Sequence, residues 1–337
     1  MSFGDRLLLR LRWHTEWYAL RLLVGLARRG DMAAMDRLVR RVSALAGSAL
    51  FGKENRWADS NLALIFGDHL TPSQRHKLIR ITWNHILLSY LEPLRLHEMT
   101  FRASGWDRVA GLLTNPQQGC VILCGIHLGC WEGGLYWLAR QSGRPMAALY
   151  RPANNPLSER EFHAIRSGYG VEWVSRHNSR AVVRVLKRGH LLSSMVDINM
   201  RSGGIAVPFL GVPAMSPAGP ARLAIQYQCP LVPVVAIRET PGRVMMQIMP
   251  PLYPPVIRDR AEEDQAIVQM TTALYGEFKP WIVDFAEQYN WFHARWRSRP
   301  DGELWRPDRP DVVTMAQQRV EPCYDVSDRI KKLFKQL

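Results

Sequence analysis

The stretch CVILCGIHLGCWEGG (residues 120–134) joins a short apolar run to a polar, glycine-containing turn. Residues 120–126 are apolar without interruption, which is typical of a strand buried on both faces of a sheet. Similar runs recur along the chain, and helix-length segments separate several of them. This alternation predicts an α/β fold with a mostly parallel central sheet flanked by helices. The further predicted strands are 146–150, 171–174, 191–196, 205–209 and 231–237, and the helices between them are 157–166, 179–187 and 218–227.

The region before the predicted sheet has a helical pattern. Its last helix is expected to start at Thr71-Pro72-Ser73-Gln74, because Thr71 can cap the helix and Pro72 suits the first helical position. Residues 1–100 are therefore predicted to form an N-terminal helical region, and residues 101–299 an α/β domain.

The region after the sheet segments is expected to be helical and then irregular. A long helix is predicted from Ala261 to Trp296, interrupted or kinked at Pro280. Residues 300–337, which contain Pro300, Pro307 and Pro310, are interpreted as a C-terminal tail of loosely packed arms.

Charge and cysteine content narrow the choice of partner and compartment. The 337 residues are 47% hydrophobic, enough for one large core, and 44 Lys plus Arg against 30 Asp plus Glu give a net charge of +14. Such an excess favours an anionic partner: a membrane surface, an acidic carrier protein or nucleic acid. The five cysteines include no C-x-x-C pair, which indicates reduced, buried thiols and a reducing, cytoplasm-facing location rather than a disulfide framework.

The N-terminal segment alternates basic and apolar residues and contains Trp13 and Trp17. Its uncharged stretches are much shorter than the roughly 18–20 apolar residues of a spanning helix, and charges interrupt any signal-peptide core. We predict an amphipathic helix lying in the membrane interface, which makes the protein peripheral or monotopic. The alternative interpretation is an ordinary surface helix of the domain.

His127 and Glu132 are the candidate catalytic residues. A separation of five residues does not align two side chains on one helix face, so the pair needs His127 to precede the helix, with Gly129 in the turn. Glu132 would then hydrogen-bond one ring nitrogen of His127 and leave the other free to accept a proton from a hydroxyl. The alternative is a strand-end histidine paired with a carboxylate for structure only.

The His-x4-Glu block resembles the His-x4-Asp/Glu motif of glycerolipid acyltransferases, and the fuller HLGCWE resembles the lipid A biosynthesis (lauroyl/myristoyl) acyltransferase branch. Four other segments resemble that branch in the same order, and the resemblance extends over residues 15–297. These segments are NLALIF (61–66), YRPANNP (150–156) with Arg166 downstream, VPFLGVPA (207–214) and EQYNWFHARW (287–296).

The resemblance implies a glycerolipid-acyltransferase-like fold and transfer of an acyl group from an acyl carrier protein thioester to a hydroxyl of a lipid A precursor. It implies a location at the cytoplasmic face of the inner membrane, with Arg166 and Asp197 at the family's Arg and Asp positions. This chain has Asp197-Ile198-Asn199 where the family usually has Asp-Gln, a departure that bears on acceptor identity rather than on chemistry. Coenzyme A remains an alternative carrier.

The chemistry of the remaining residues agrees with acyl transfer. No metal or organic cofactor is expected, because a thioester is already activated. Arg151, Arg166 and Arg201 are candidates for holding phosphates of the acceptor or carrier, and a solvated or structural role is the alternative for each. The segment 207–215 is a candidate wall for an acyl slot or simply part of the core.

Three competing functions stay open at this point. The nearest is an acyltransferase that acts on a lysophospholipid, an ornithine lipid or another lipid head group. A nucleic-acid-binding module is disfavoured, because the arginines are dispersed and no recognition motif is present. An inactive family member that serves as an adaptor is disfavoured by the intact His127 and Glu132.

Overall fold

The structure is a computed structural model that describes residues 3–46, 51–300, 304 and 317–336. Up to residue 98 the described chain is helical, as the sequence predicted. The α-helices of this N-terminal region are α1 (Phe3–Arg29), α2 (Met32–Ala46), α3 (Gly52–Phe66) and α4 (Pro72–Leu91).

Helix α4 starts where the sequence predicted. Thr71 accepts a hydrogen bond from the backbone N–H of Gln74, and the Gln74 side chain accepts one from the backbone N–H of Thr71. This capping box satisfies two of the N–H groups at the start of the helix, with Pro72 at its first position. The other end of α4 packs against β2 and α6.

Within the described residues there are nine strands. They are β1 (Thr100–Ser104), β2 (Val121–Gly129), β3 (Met146–Tyr150), β4 (Val171–Ser175), β5 (Leu191–Met195), β6 (Gly204–Phe209), β7 (Val212–Pro217), β8 (Leu231–Thr240) and β9 (Arg243–Ile248). Seven of these form one sheet in the order β1-β9-β8-β2-β5-β3-β4. Its strand pairs are parallel except β8 with β9, so the predicted mostly parallel sheet is confirmed.

The prediction that residues 205–209 add a strand to this sheet was wrong. β6 pairs antiparallel with β7 in a separate two-stranded hairpin. Its two-residue turn has Leu210 at φ 50° and Gly211 at φ 72°, and positive φ at both central residues matches the twist of a tight hairpin. The sequence analysis did not predict β1, β7 or β9, because they lack the continuous apolar run that marks the central strands.

The remaining described helices cover the sheet. They are α5 (Trp106–Thr114), α6 (Trp131–Ser142), α7 (Pro156–Arg166), α8 (Ser179–Lys187), α9 (Gly219–Tyr227), α10 (Arg260–Asp284) and α11 (Asp328–Gln336). Alternate residues of β2 belong to two hydrophobic clusters: Ile122 and Cys124 pack with residues of α9 and α10, and Val121 and Leu123 with residues of α5 and α6. Burial on both faces explains why β2 is almost entirely apolar.

The predicted helix from Ala261 to Trp296 is shorter than expected. α10 continues past Pro280, which lacks the N–H for one helical hydrogen bond, and ends at Asp284. After a short 3-10 turn over Ala286–Gln288 the chain leaves helical geometry, because its backbone bonds the carboxyl end of β2 instead. The segment 285–296 thereby becomes part of the candidate site.

The C-terminal tail was predicted to be loosely packed, and its described end is not. Residues 317–336 bring Val326 and Ile330 into the core, and the backbone N–H of Tyr324 donates to Ile65 O. Pro307 and Pro310 lie outside the described residues.

Two further sequence-based expectations concern membranes and thiols. No helix in the described ranges has both the length and the apolar character needed to cross a bilayer. All five cysteines lie within those ranges; four are buried, as predicted, and Cys323 is half-buried.

Candidate active site

His127 lies near the carboxyl end of β2, at an irregularity in the strand. Gly125 faces Val234 of β8, whereas Gly129 faces Ala236, so four steps along β2 match two along β8. A bulge of this kind redirects a side chain from the regular pleat. His127 consequently keeps 25% of its side-chain surface exposed between two buried neighbours, so a substrate can reach the ring.

Asp197 is the carboxylate that holds His127. It follows β5, the strand beside β2, and it is almost fully buried. One carboxylate oxygen lies 2.8 Å from Nδ1 of His127, and the other accepts the backbone N–H of the same residue at 2.9 Å. The two contacts fix both the ring and the strand that carries it. With Nδ1 bonded to Asp197, Nε2 is the ring nitrogen that can exchange a proton with a substrate.

The ionisation of the pair follows from its surroundings. Burial lowers the pKa of His127, but the charge and hydrogen bond of Asp197 and the charge of Glu132 outweigh burial, so the pKa is raised. Burial raises the pKa of Asp197, and the charge of His127 with the hydrogen bonds from its ring and backbone lowers it by more. Asp197 therefore stays ionised, and His127 binds a proton more readily than an ordinary histidine.

The segment after α10 forms the back wall of the site. The backbone N–H of Asn290 donates to His127 O at 2.9 Å, and Tyr289 forms a β-bridge with Leu128. Burial and the charge of the nearby Asp197 carboxylate raise the pKa of the Tyr289 hydroxyl. Tyr289 and Asn290 had no predicted role, although they lie within the segment 287–296 that carries the family resemblance. Their backbone contacts, which no residue type reveals, explain why the sequence missed them.

His293 was not assigned to catalysis, and its contacts are those of a hydrogen-bond acceptor. Its Nε2 accepts the backbone N–H of Asn199 at 2.9 Å. Burial lowers the pKa of His293 to about 4 despite the opposing charge of Asp197. A neutral ring with an acceptor nitrogen holds the loop that follows Asp197.

Gly129 makes the turn between β2 and α6, as the sequence predicted. Its φ is +65°, and a Cβ atom at this position would lie 2.0 Å from Ala236 O. The backbone N–H of Cys130 donates to that same carbonyl at 2.7 Å. Helix α6 then begins at Trp131, so His127 precedes the helix and Glu132 lies in its first turn.

The prediction that Glu132 accepts a hydrogen bond from the His127 ring was wrong. Glu132 forms an ion pair with Arg166 at the end of α7 and lies 3.4 Å from the Tyr136 hydroxyl. Arg166 in turn stacks over the Trp173 ring, with its central carbon 4.5 Å from the ring centroid. Asp197 is therefore the carboxylate that orients the His127 ring, and Glu132 acts on that ring through its charge.

The physical reason lies in the sheet. The side chain of Glu132 leaves the first turn of α6 toward α7, whereas Asp197 is 70 residues from His127 and meets it because β5 pairs with β2. Spacing along the sequence therefore pointed to Glu132 and could not predict the contact with Asp197.

The structure places Arg166 in the Glu132 ion pair, while Arg151 and Arg201 are exposed. Arg151 directly follows β3 and donates to the Asn154 side chain at 3.1 Å. Arg201 lies in the loop after β5. Because β2, β3 and β5 run parallel, the loops that carry Arg151 and Arg201 leave the sheet at the same edge as His127.

Comparison with known proteins supplies the family. A family model described as bacterial lipid A biosynthesis acyltransferase matches residues 1–298. The chain belongs to this family. The resemblance inferred from the motifs is confirmed, and the protein is an enzyme that transfers acyl groups in lipid A biosynthesis.

Curated members of the family are similar to this lipid A acyltransferase over most of their length. The chain is 28% identical to the lipid A biosynthesis palmitoleoyltransferase of Escherichia coli K12 over 275 residues, which are 78% of this chain and 85% of that protein. It is 27% identical to the lipid A biosynthesis lauroyltransferase of the same strain over 256 residues, covering 72% and 78%. A lipid A biosynthesis acyltransferase of Haemophilus influenzae is 24% identical over 253 residues, with the same coverage.

The described C-terminal segment of this lipid A acyltransferase lies beyond the matched region. Arg329 of α11 reaches back to Glu287, which is buried at the start of the back wall. Arg329, which lies outside the family match, thus contacts the back-wall segment whose backbone binds His127.

Proposed function

We propose that this lipid A acyltransferase moves a fatty acyl group from an acyl carrier protein thioester to a hydroxyl of a lipid A precursor, with His127 as the general base. The observation that carries the proposal is the His127–Asp197 pair, which fixes Nδ1 and leaves the ring partly exposed at the edge of the sheet. A buried carboxylate behind a histidine is the orienting half of an acid–base site.

The chemical step follows from this geometry. Nε2 of His127 takes the proton of the acceptor hydroxyl as the oxygen attacks the thioester carbonyl. The tetrahedral intermediate then collapses, the C–S bond breaks, and His127 returns its proton to the leaving thiolate. The products are an ester and a free thiol, and His127 ends neutral, as it began.

Negative charge on the carbonyl oxygen needs hydrogen-bond donors in the transition state. The first-turn N–H groups of a helix have no intrahelical acceptors, and α6 begins four residues after His127. The Trp131 ring also packs edge-on against the His127 ring, with 5.3 Å between centroids. We assign the oxyanion site to the start of α6.

Glu132 and Arg166 act beside the base. Burial lowers the pKa of Arg166, and the charge and hydrogen bond of Glu132 raise it by more, so the guanidinium stays charged. Held between Glu132 and the Trp173 ring, Arg166 has little freedom to move and can present its remaining N–H groups to polar groups of the acceptor. Arg151 and Arg201, exposed at the same sheet edge, are assigned to phosphates of the acceptor or of the carrier.

Helix α1 is the proposed contact with the membrane. Six of its apolar side chains are 42–68% exposed and fall within an arc of about 100° when successive residues turn by about 100°. Val24 and Ala27, on the opposite side, are buried against the protein. Such a stripe suits a helix that lies in the bilayer interface. We assign this contact to the cytoplasmic face of the inner membrane, as the family resemblance implies. The stripe consists of Leu7, Leu8, Leu11, Tyr18, Leu22 and Leu26.

A basic groove of about 320 Å³ lies between α1 and α7 beside this stripe. Across the described chain, neither Arg10 nor Arg160 has a carboxylate partner, which leaves both available to lipid phosphates. The groove is lined by Arg10, Trp13, His14, Pro156, Leu157 and Arg160.

The second candidate function is the same reaction on a lysophospholipid, ornithine lipid or other head group. It is favoured by Ile198, an apolar residue where the family usually has Gln. The Asn199 amide does not take the place of that Gln, because both of its ends bind Ser298. Its Nδ2 donates to the Ser298 hydroxyl, and its Oδ1 accepts the Ser298 backbone N–H, each at 3.1 Å.

The test uses the full-length protein in membranes with acyl carrier protein thioester and a lipid A precursor, followed by mass spectrometry of the lipid. We expect a mass gain of one acyl group that is absent with His127→Ala. The control is His177→Ala, which replaces an exposed histidine in the turn after β4 and should keep the mass gain. A gain with a lysophospholipid or ornithine lipid but none with the lipid A precursor would replace the acceptor. Transfer from acyl coenzyme A alone would replace the carrier.

A further inference from the structure

A buried polar network lies behind the Gly129 turn and takes no direct part in the proposed chemical step. At its centre, Arg238 of β8 and Glu92, the residue after α4, form an ion pair whose side chains are 1% and 0% exposed. Nε of Arg238 lies 2.9 and 3.0 Å from the two carboxylate oxygens, and Nη2 lies 2.6 Å from one of them. An ion pair this deep gives up a large hydration energy, and replacing such pairs by apolar residues is often neutral or stabilising. Stability alone therefore does not explain its presence.

Helix α4 supplies the other partners of Arg238. Nη1 of Arg238 donates to Nδ1 of His85 at 2.8 Å, and Nη2 donates to the Ser89 hydroxyl at 3.1 Å. Burial, followed by the charge of Arg238, lowers the pKa of His85, so its ring is neutral and Nδ1 is an acceptor. Arg238 thereby ties the end of α4 to β8.

The network reaches the site through the Gly129 turn. The Ser89 hydroxyl donates to Gly129 O, and burial together with the charge of the nearby Glu92 carboxylate raises the pKa of the Cys130 thiol. Both interactions fall on the two residues between the His127 strand end and the first turn of α6. Gly129 has a positive φ and packs so closely against Ala236 O that a Cβ atom would collide with it. The network contacts the turn in this conformation.

Arg238 also restrains the Ser89 hydroxyl, to which its Nη2 donates a hydrogen bond at 3.1 Å. Besides Gly129 O, the hydroxyl has a second acceptor within reach, His85 O, at 2.7 Å. One hydroxyl donates one proton, and Arg238 occupies a lone pair of the same oxygen. Without Arg238, Ser89 can return its proton to its own helix and release the Gly129 carbonyl.

We propose that Arg238, Glu92 and Ser89 are positioning residues for acyl transfer, which hold the Gly129–Cys130 turn so that His127 and the start of α6 face the same thioester carbonyl. The inference rests on the proposed roles of His127 and α6. Because base and oxyanion donors lie on opposite sides of this turn, a small shift of the turn separates them. Displacement on the order of 1 Å can lower a rate on the order of 100-fold.

The first variant is Ser89→Ala, which leaves the ion pair intact and removes one hydroxyl. We expect kcat to fall on the order of 10- to 100-fold with KM changed by less than about 2-fold, because the contact acts on the reacting groups and not on substrate binding. The second variant is Glu92→Met with Arg238→Met. The single variants leave a buried charge unpaired and can fail to fold, whereas the double variant removes both charges. We expect it to melt cooperatively near the wild-type temperature with a similarly reduced kcat.

Arg144→Met is the matched control. Arg144 is 5% exposed and donates to the carbonyls of Leu112, Gly119 and Gly189, near the amino ends of β2 and β5. It is thus a buried arginine that supports the same sheet far from His127. We expect this variant to lose thermal stability and to keep kcat within about 2-fold in its folded fraction.

Retention of wild-type kcat by Ser89→Ala and by the folded double variant would overturn the proposal, as would an equal loss of kcat in Arg144→Met. His127→Ala is measured beside them. If that variant keeps its activity, the proposed function fails. If it loses activity while the network variants keep theirs, only the positioning role fails.

Discussion

Asp197 binds His127 with both carboxylate oxygens, one at ring Nδ1 and one at the backbone N–H, at 2.8 and 2.9 Å. The same acid therefore orients the imidazole and fixes the bulged strand beneath it. Because one side chain serves both functions, a change at Asp197 should affect the position of the base as well as its protonation.

Asp197→Asn should lower kcat on the order of 10²- to 10⁴-fold with a folded protein, because the amide keeps the shape and loses the charge that selects the Nε2 acceptor tautomer. His127→Ala should abolish transfer. Steady-state kinetics with circular dichroism separates lost chemistry from lost folding. Near-normal turnover in Asp197→Asn would remove the pair from the mechanism.

The pH dependence should report the raised pKa of His127. The base must be neutral, so kcat/KM should rise with pH through a value above the ordinary histidine pKa of about 6.5. Asp197→Asn removes the main group that raises this pKa and leaves burial, which lowers it, so the residual activity should begin at lower pH. Glu132→Gln should move the acidic limb in the same direction by less. Profiles between about pH 5 and 9 test the order, and an unmoved limb in Asp197→Asn would contradict it.

Glu132→Ala should act on stability as well as on activity. It leaves Arg166 largely buried without its carboxylate, at a cost of about 3 kcal/mol in the free energy of unfolding. Activity should fall less than in His127→Ala, because Asp197 still orients the base. Urea unfolding and kinetics of the same preparation measure both. As a control, Glu263→Ala removes a carboxylate from the first turn of α10, which should cost less than about 1 kcal/mol and leave activity unchanged. An undiminished stability of Glu132→Ala would show that the Arg166 pair contributes little.

Gly129→Ala should prevent formation of the native turn, since the added Cβ would meet Ala236 O at 2.0 Å. Gly143 provides a matched control: its φ is +63°, close to +65° at Gly129, and nothing lies within 4 Å of its virtual Cβ. Gly143→Ala should cost only the left-handed strain of about 1–2 kcal/mol. Thermal melts measure the stability of both variants. Gly143→Ala reports the backbone strain alone, and Gly129→Ala reports the strain together with the collision. Equal destabilisation would mean that the turn at Gly129 can move.

The sequence determined the parts of this protein that depend on local pattern. Continuous apolar runs marked the central strands, the Thr71 capping box marked the start of α4, and the turn at Gly129 placed His127 before a helix. Each is a property of neighbouring residues, because period, caps and backbone freedom act over a few positions. The family could also be recognised, since its motifs are contiguous.

Only the tertiary structure decided which groups meet. Asp197, 70 residues from His127, replaced the nearer Glu132 as the orienting carboxylate, and Arg238 reached Ser89 and Glu92 across almost 150 residues. The order of strands in a sheet and the packing of α4 against it set these contacts, and neither leaves a periodic trace along the chain. Hydrogen bonds to backbone atoms, such as Ser89 to Gly129 O, carry no residue-type signal at the acceptor, so folding alone brings them about.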